Sequence, residues 1–200
     1  EQGLPWVVVK MAASLDGRTA MASGQSQWIT TPASRKDVQR LRAANCAIIT
    51  GIGTQLMDDP SLTVRITNDD LGVTDSLRQP LRVVVDSKLQ MSPEARMFAQ
   101  PGDTLIATMD GPEQRERALP LEAAGAAGVF LPARDGHVDL HELLLELARR
   151  ECNSVMVEAG AGLAATGGAC RPIGFVFAIL CGVDVIGGSD AAPSLTFFSS

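Results

Sequence analysis

Lys10 interrupts an otherwise apolar run, Val7-Val8-Val9-Lys10-Met11-Ala12, and Glu158 closes another, Val155-Met156-Val157. Packing alone would favour Val or Ile at both places, because an unpaired charge among apolar groups is costly. Each therefore reads in one of two ways. Either the side chain escapes to solvent from an edge strand or a loop, or it is aimed at a bound molecule. An ammonium and a carboxylate at strand ends suit general acid–base work on a substrate hydroxyl or carbonyl.

Between them lies a denser stretch, Thr50-Gly51-Ile52-Gly53-Thr54, followed by Asp58-Asp59-Pro60-Ser61-Leu62-Thr63-Val64-Arg65. Glycines let the backbone approach a ligand. A helix opening behind them, with Thr54 able to cap it, offers N–H groups to an anion. Asp-Asp-Pro predicts a turn that can hold an acid at a cleft mouth, although adjacent acids before Pro are common in plain turns. The third glycine of the dinucleotide fingerprint is missing, so this is not that motif. Arg42 and Arg65 each carry a guanidinium able to hold an anion in bidentate fashion, and Ser26 offers a hydroxyl, although single Arg residues on helices are usually solvated. Ser87-Lys88 ends a further apolar run and offers a hydroxyl and a cation. His137 and His141 are four apart, but no Glu follows His137 in metalloprotease register, and His137 precedes the helix cap at Asp139. No metal is expected there.

The elements that must position these groups follow from periodicity. Trp6 to Ala12 reads as a buried strand. Thr31-Pro32 opens a helix with Thr as cap and Pro in its first turn. Its apolar stripe is read as Val38, Leu41 and Ala44, with Arg35 and Arg42 turned away from the core. Strands are expected at 47–49, 81–85, 104–108, 128–131, 154–157 and 175–180. A weak helix is expected over 113–124, broken by Pro120. A stronger one starts at Asp139 in a capping-box-like sequence, with Leu140, Leu143, Leu144 and Leu147 on one face. Strands alternating with helices imply right-handed crossovers and a mainly parallel sheet covered on both faces. Ligands then lie outside the carboxyl ends of the strands, where Lys10, the 51–58 turn, Asp86-Ser87-Lys88 and Glu158 all fall.

Two hundred residues with 46% hydrophobic and 20% charged content fit one globular domain with a substantial core. A net charge of −6 argues against a nucleic-acid surface while leaving room for one basic phosphate pocket. No apolar run approaches the ~20 residues of a membrane span, and the N-terminus lacks signal-peptide form. The four cysteines form no Cys-x-x-Cys pair, which favours free thiols in a reducing cytoplasm. The chain begins at Glu1 without an initiator Met, which reads as part of something longer.

Taken together, Lys10-Met11-Ala12-Ala13-Ser14-Leu15-Asp16-Gly17-Arg18-Thr19-Ala20, Ser23 to Thr30, the 50–65 stretch, Val83 to Ser87 and Val155 to Gly160 resemble the reductase domain of the bifunctional riboflavin-biosynthesis deaminase/reductases. A final echo is Gly187-Gly188-Ser189-Asp190-Ala191. The resemblance implies an α/β, dihydrofolate-reductase-like three-layer α/β/α fold with a mainly parallel mixed sheet. It also implies NADPH-dependent reduction of 5-amino-6-(5-phosphoribosylamino)uracil in the cytoplasm, in a homodimer fused to a deaminase domain. The zinc deaminase signature itself is absent from these residues.

Residue by residue, the resemblance places Lys10, Glu158 and Asp58 at the reacting centre. Ala12, Trp28, Thr30, Thr54, Asp58, Ser87 and the Gly160-Ala161-Gly162 turn then contact NADPH. Ser26, Arg42, Leu62, Arg65 and Glu158 contact the phosphorylated pyrimidine. Trp28 is equally good core material by composition. Hydride transfer to an imine or sugar C1′ needs the carbon polarised and the departing nitrogen or oxygen protonated, which a flanking Lys and Glu would supply.

The resemblance weakens over Ala165 to Gly174, where Gly and Pro disfavour the family's helix, and at Cys181-Gly182. Two other functions stay open. One is a related reductase of another pterin or pyrimidine, and the other is a nucleotide-binding domain that has lost turnover.

Overall fold

The computed structural model describes residues 3–14, 32–71, 77–158 and 175–181. A seven-stranded sheet dominates them, in spatial order β5-β4-β3-β2-β8-β1-β9. Its strands are β1 (Trp6–Ser14), β2 (Ala47–Gly51), β3 (Leu81–Val85), β4 (Thr104–Met109), β5 (Ala126–Leu131), β8 (Ser154–Glu158) and β9 (Phe175–Cys181). All six pairings in this sheet are parallel. The antiparallel pairing among the described residues is a separate hairpin of β6 (Ala133–Arg134) and β7 (His137–Val138). The α/β fold expected from the sequence is the one observed.

Parallel strands covered on both sides must be apolar on both faces, and Ile48-Ile49 and Val83-Val84-Val85 are. Alternation then sorts them. Val7, Val9, Ile49, Val83, Val85, Leu105 and Val155 form one core with Leu143, Leu144 and Leu147 of α5 (Leu140–Arg149). Ile48, Val84, Ile106 and Met156 face the opposite way. They pack with Ala118 and Leu121 of α4 (Pro112–Ala123) and with Val38 and Leu41 of α1 (Pro32–Ala44). The leucine stripe of α5 is therefore core, and Asp139 caps that helix by accepting from the His141 amide at 2.9 Å.

Four sequence expectations need correction. Ala44 is exposed, whereas Arg42 turns inward, because positions 38, 41 and 42 share one helical face. Helix α4 runs through Pro120 unbroken: Ala118 and Leu121 stay buried while Pro120 is exposed, so the missing amide lies on the solvent side. Helix α2 (Ile52–Asp58) starts directly from β2 with Gly51 as its cap, which puts Thr54 inside the first turn. The hairpin was not anticipated, although its turn is Asp135-Gly136 with φ of 52° and 76°, a pair suited to a two-residue primed turn.

At the amino edge of the sheet, Arg82 is almost fully buried. Its guanidinium donates to the carbonyls of Ser61, Gln100 and Gly102, and its Nε donates to that of Asp103. Gly102 there has φ 103°, and a Cβ would meet Gln79 Cβ at 2.9 Å, so only glycine fits. This cage fixes the segment after α2 against the end of the sheet opposite the site.

Candidate functional site

The carboxyl ends of β2, β8 and β1 form the middle of the sheet. Between them the chain order reverses: β1 feeds β2 two places away, and β8 fills the gap. Crevices form at such reversals. In the β1–β8 register Lys10 is the partner of Glu158. Glu158 stands two residues after Met156, which packs on the α1 side, so alternation puts the pair on that face. Thr50 comes one residue after the Ile49–Val157 pair, which sets it level with Glu158. Its hydroxyl is buried and has no hydrogen-bond partner among the described residues.

Arg42 reaches this edge from α1. Its Nε donates to Glu158 Oε1 at 2.6 Å, and its Nη2 donates to Oε2 at 2.9 Å. Its Nη1 donates to the Thr63 carbonyl at 3.0 Å. The two side chains are 11% and 8% exposed, so this is a buried bidentate pair rather than a surface contact.

The segment after α2 is strapped from several sides. Asp59 takes a left-handed φ of 40°. Its carboxylate accepts from Gln55 Nε2 at 2.7 Å and from the Arg96 amide at 3.0 Å. The Val64 amide donates to Gln79 Oε1 at 2.8 Å, and Gln79 Nε2 donates to the Val64 carbonyl at 3.1 Å. The Arg65 amide donates to Gln39 Oε1 at 2.8 Å. Arg65 thus has a fixed backbone and an exposed side chain. Leu62, at φ 50°, buries its side chain in the core, which leaves only its backbone for a ligand. Asp58 is exposed at the end of α2, and Thr54 is half-buried one turn earlier.

Ser87 is buried beyond β3, and its hydroxyl accepts from the Val138 amide at 3.1 Å. The adjacent Asp86 accepts from the amides of Gln90 and Met91 at 2.6 and 2.8 Å. Burial pushes its carboxyl above the usual range despite those bonds. Lys88 is exposed. His137 sits on the hairpin and His141 on α5, and no metal-binding cluster occurs among the described residues. Among the same residues no helix is long and apolar enough to cross a membrane.

Ser26, Trp28, Thr30, Gly160, Ala161 and Gly162 lie outside the described residues, as do the Thr31 cap and the 165–174 segment. Ala12 is placed by its backbone in β1, paired with Ile179 of β9. The structure thus brings Lys10, Glu158 and Arg42 to one strand edge. It adds Thr50, which the sequence reading had missed. The Arg42–Glu158 pair was also missed, and the stripe spacing of Val38, Leu41 and Arg42 was the available sign.

Comparison with known proteins agrees with this architecture. Residues 5–167 match the family model described as the RibD C-terminal domain. The Escherichia coli riboflavin biosynthesis protein RibD is 44% identical over 167 residues, covering 81% of this chain and 44% of that protein. The chain spans less than half the length of this relative. An Acinetobacter baumannii RibD structure superposes with a TM-score of 0.73 at 31% identity, covering 99% of this chain and 51% of that one. A Thermotoga maritima structure does so with a TM-score of 0.66 at 27% identity, over 88% of this chain and 44% of that one. It is described as a diaminohydroxyphosphoribosylaminopyrimidine deaminase/5-amino-6-(5-phosphoribosylamino)uracil reductase. With the family model covering most of the chain, and the same parallel sheet beneath it, this protein belongs to the RibD C-terminal domain family.

Proposed function

We propose that the chain carries out the NADPH-dependent reduction of 5-amino-6-(5-phosphoribosylamino)uracil to its ribitylamino product, a step of riboflavin biosynthesis. The observation that carries the proposal is the register pairing of Lys10 with Glu158 at the carboxyl edge, beside a glycine turn. The residues present fit a polar heterocycle there. Thr50 offers an orphaned hydroxyl, Lys10 a cation, and a Cβ at Gly53 would meet nothing within 4 Å.

Bound NADPH would supply a hydride to C1′ of the substrate. As that C–H bond forms, the C=N pair of an imine moves onto nitrogen and takes a proton from the Lys10 ammonium. Glu158 accepts hydrogen bonds and orients the sugar. Asp58 and Thr54 at the ends of α2, together with Ala12, Trp28, Thr30, Ser87 and the 160–162 turn, would hold the dinucleotide. Ser26 and Arg65 would hold the phosphate, and the Leu62 backbone the pyrimidine side. In this reading the protein works as a cytoplasmic homodimer fused to a deaminase domain; the fusion is supported by relatives about twice the length of the matched region, one of them described as a deaminase/reductase.

The test is steady-state NADPH oxidation with the phosphoribosylaminopyrimidine as substrate. Turnover is expected with it. Oxidation only with an unphosphorylated pterin would replace the proposal.

A further inference from the structure

We propose that Arg42 is a positioning residue, which holds the Glu158 carboxylate in one orientation against the reacting sugar rather than serving chiefly as a ligand of the substrate phosphate. This rests on the reductase reading above. The fork of the guanidinium is already occupied: Nε and Nη2 take one carboxylate oxygen each, at 2.6 and 2.9 Å. The other arm is anchored on the Thr63 carbonyl at 3.0 Å. Thr63 is itself buried, between Leu62 in the core and Val64 clamped by Gln79.

Arg42 is thus fixed at both ends and transmits that rigidity to Glu158. Swinging its fork to a phosphate would take from Glu158, 8% exposed, both of the N–H donors that hold its carboxylate. Arg65, with an exposed side chain on a pinned backbone, has no such commitment among the described ion pairs. It is the better phosphate ligand. The pair also divides the labour at the centre. A carboxylate whose two oxygens both accept N–H bonds serves as an acceptor, so proton delivery falls to Lys10, its register partner.

The experiment is single-turnover hydride transfer in the full chain, with the phosphorylated substrate and with the ribosylamino analogue lacking phosphate. Arg42→Met, Glu158→Gln and the double variant form the cycle. Misplacing a reacting group by about 1 Å costs roughly a hundredfold, so Arg42→Met is expected to lower the rate constant by that order on both substrates. It should add little in the Glu158→Gln background. If Arg42→Met does not fold, Arg42→Lys carries the same reading: it keeps the cation but loses the fork, so kcat falls with KM unchanged. Losses confined to the phosphorylated substrate and to KM, or additive losses in the cycle, overturn the role. An active wild type showing that pattern overturns the role alone, whereas a wild type silent on both substrates overturns the reductase reading and the role with it.

Discussion

Lys10 and Glu158 are register partners on adjacent parallel strands, so their Cα atoms lie side by side although they stand near opposite ends of the described chain. Neighbouring strands are about 4.8 Å apart and paired residues leave the sheet on the same face, so both polar groups stand on one side of it. Lys10→Met and Glu158→Gln should each slow hydride transfer while leaving the fold intact. Groups that act as a unit lose their effects non-additively, so the double variant should be little worse than the worse single one. Rapid-mixing measurement of NADPH oxidation decides. Near wild-type rates in either single variant would move the catalytic assignment to Asp58.

Arg65→Ala should weaken substrate binding by about 1.5–3 kcal/mol, the range for a lost hydrogen bond to a charged group. NADPH affinity should hold, because the backbone stays fixed by the Gln39 bond. Titration calorimetry with each ligand separates the two effects, and a loss on the NADPH side would redraw the cleft.

The Ser87 hydroxyl already serves the Val138 amide, so cofactor choice is expected to rest more on exposed Lys88. Fluorescence titration should show NADPH binding more tightly than NADH, with Lys88→Ala narrowing the gap. Ser87→Ala should instead cost roughly 1–3 kcal/mol of stability by orphaning a buried amide. Equal affinities in the wild type would mean that neither Ser87 nor Lys88 meets the adenosine 2′-phosphate, the group that distinguishes NADPH from NADH.

Thr50→Val replaces a buried, unpartnered hydroxyl with a methyl of similar shape. Relief of the desolvation penalty should stabilise the ligand-free protein by about 1 kcal/mol. It should also raise KM if the hydroxyl meets a ligand. A lower Tm would show that the hydroxyl is bonded in solution.

Asp86 is raised by burial, so its folded-state value lies above the ~3.9 of an unfolded Asp. A raised group contributes most below the unfolded value and loses that contribution as pH climbs through the folded one. Asp86→Asn keeps an acceptor for the Gln90 and Met91 amides but no longer titrates. Urea unfolding of both proteins from pH 4 to 7 should show the wild type losing ground to the variant as pH rises. The opposite slope would mean that the hydrogen bonds outweigh the burial.

Strand positions were legible because parallel strands covered on both faces are continuous apolar runs, and polar residues inside them stand out. Lys10 and Glu158 were found that way. Their mutual register was not, since pairing between distant strands leaves no mark on either one. Arg42 was misplaced because charge suggested solvent where helical spacing pointed to the core, and a buried partner 116 residues away was needed to reconcile them. Helix α4 survived Pro120 because a proline's missing amide matters little on the solvent side, which local rules do not weigh. The hairpin is legible in Asp135-Gly136, a pair that takes positive φ readily.

Strand β1 is inserted between β8 and β9, both of which come from the far end of the chain. Contacts of such long sequence span close late and slowly, because loop entropy is lost before they reward it. The β2–β3–β4–β5 half can assemble from neighbours in sequence, whereas the half bearing Lys10 must wait for residues beyond 154. During synthesis on the ribosome, the first strand would therefore emerge long before its partners and stay unpaired. Acquisition of activity should be the last event of folding, and a more stringent report of nativeness than secondary-structure content.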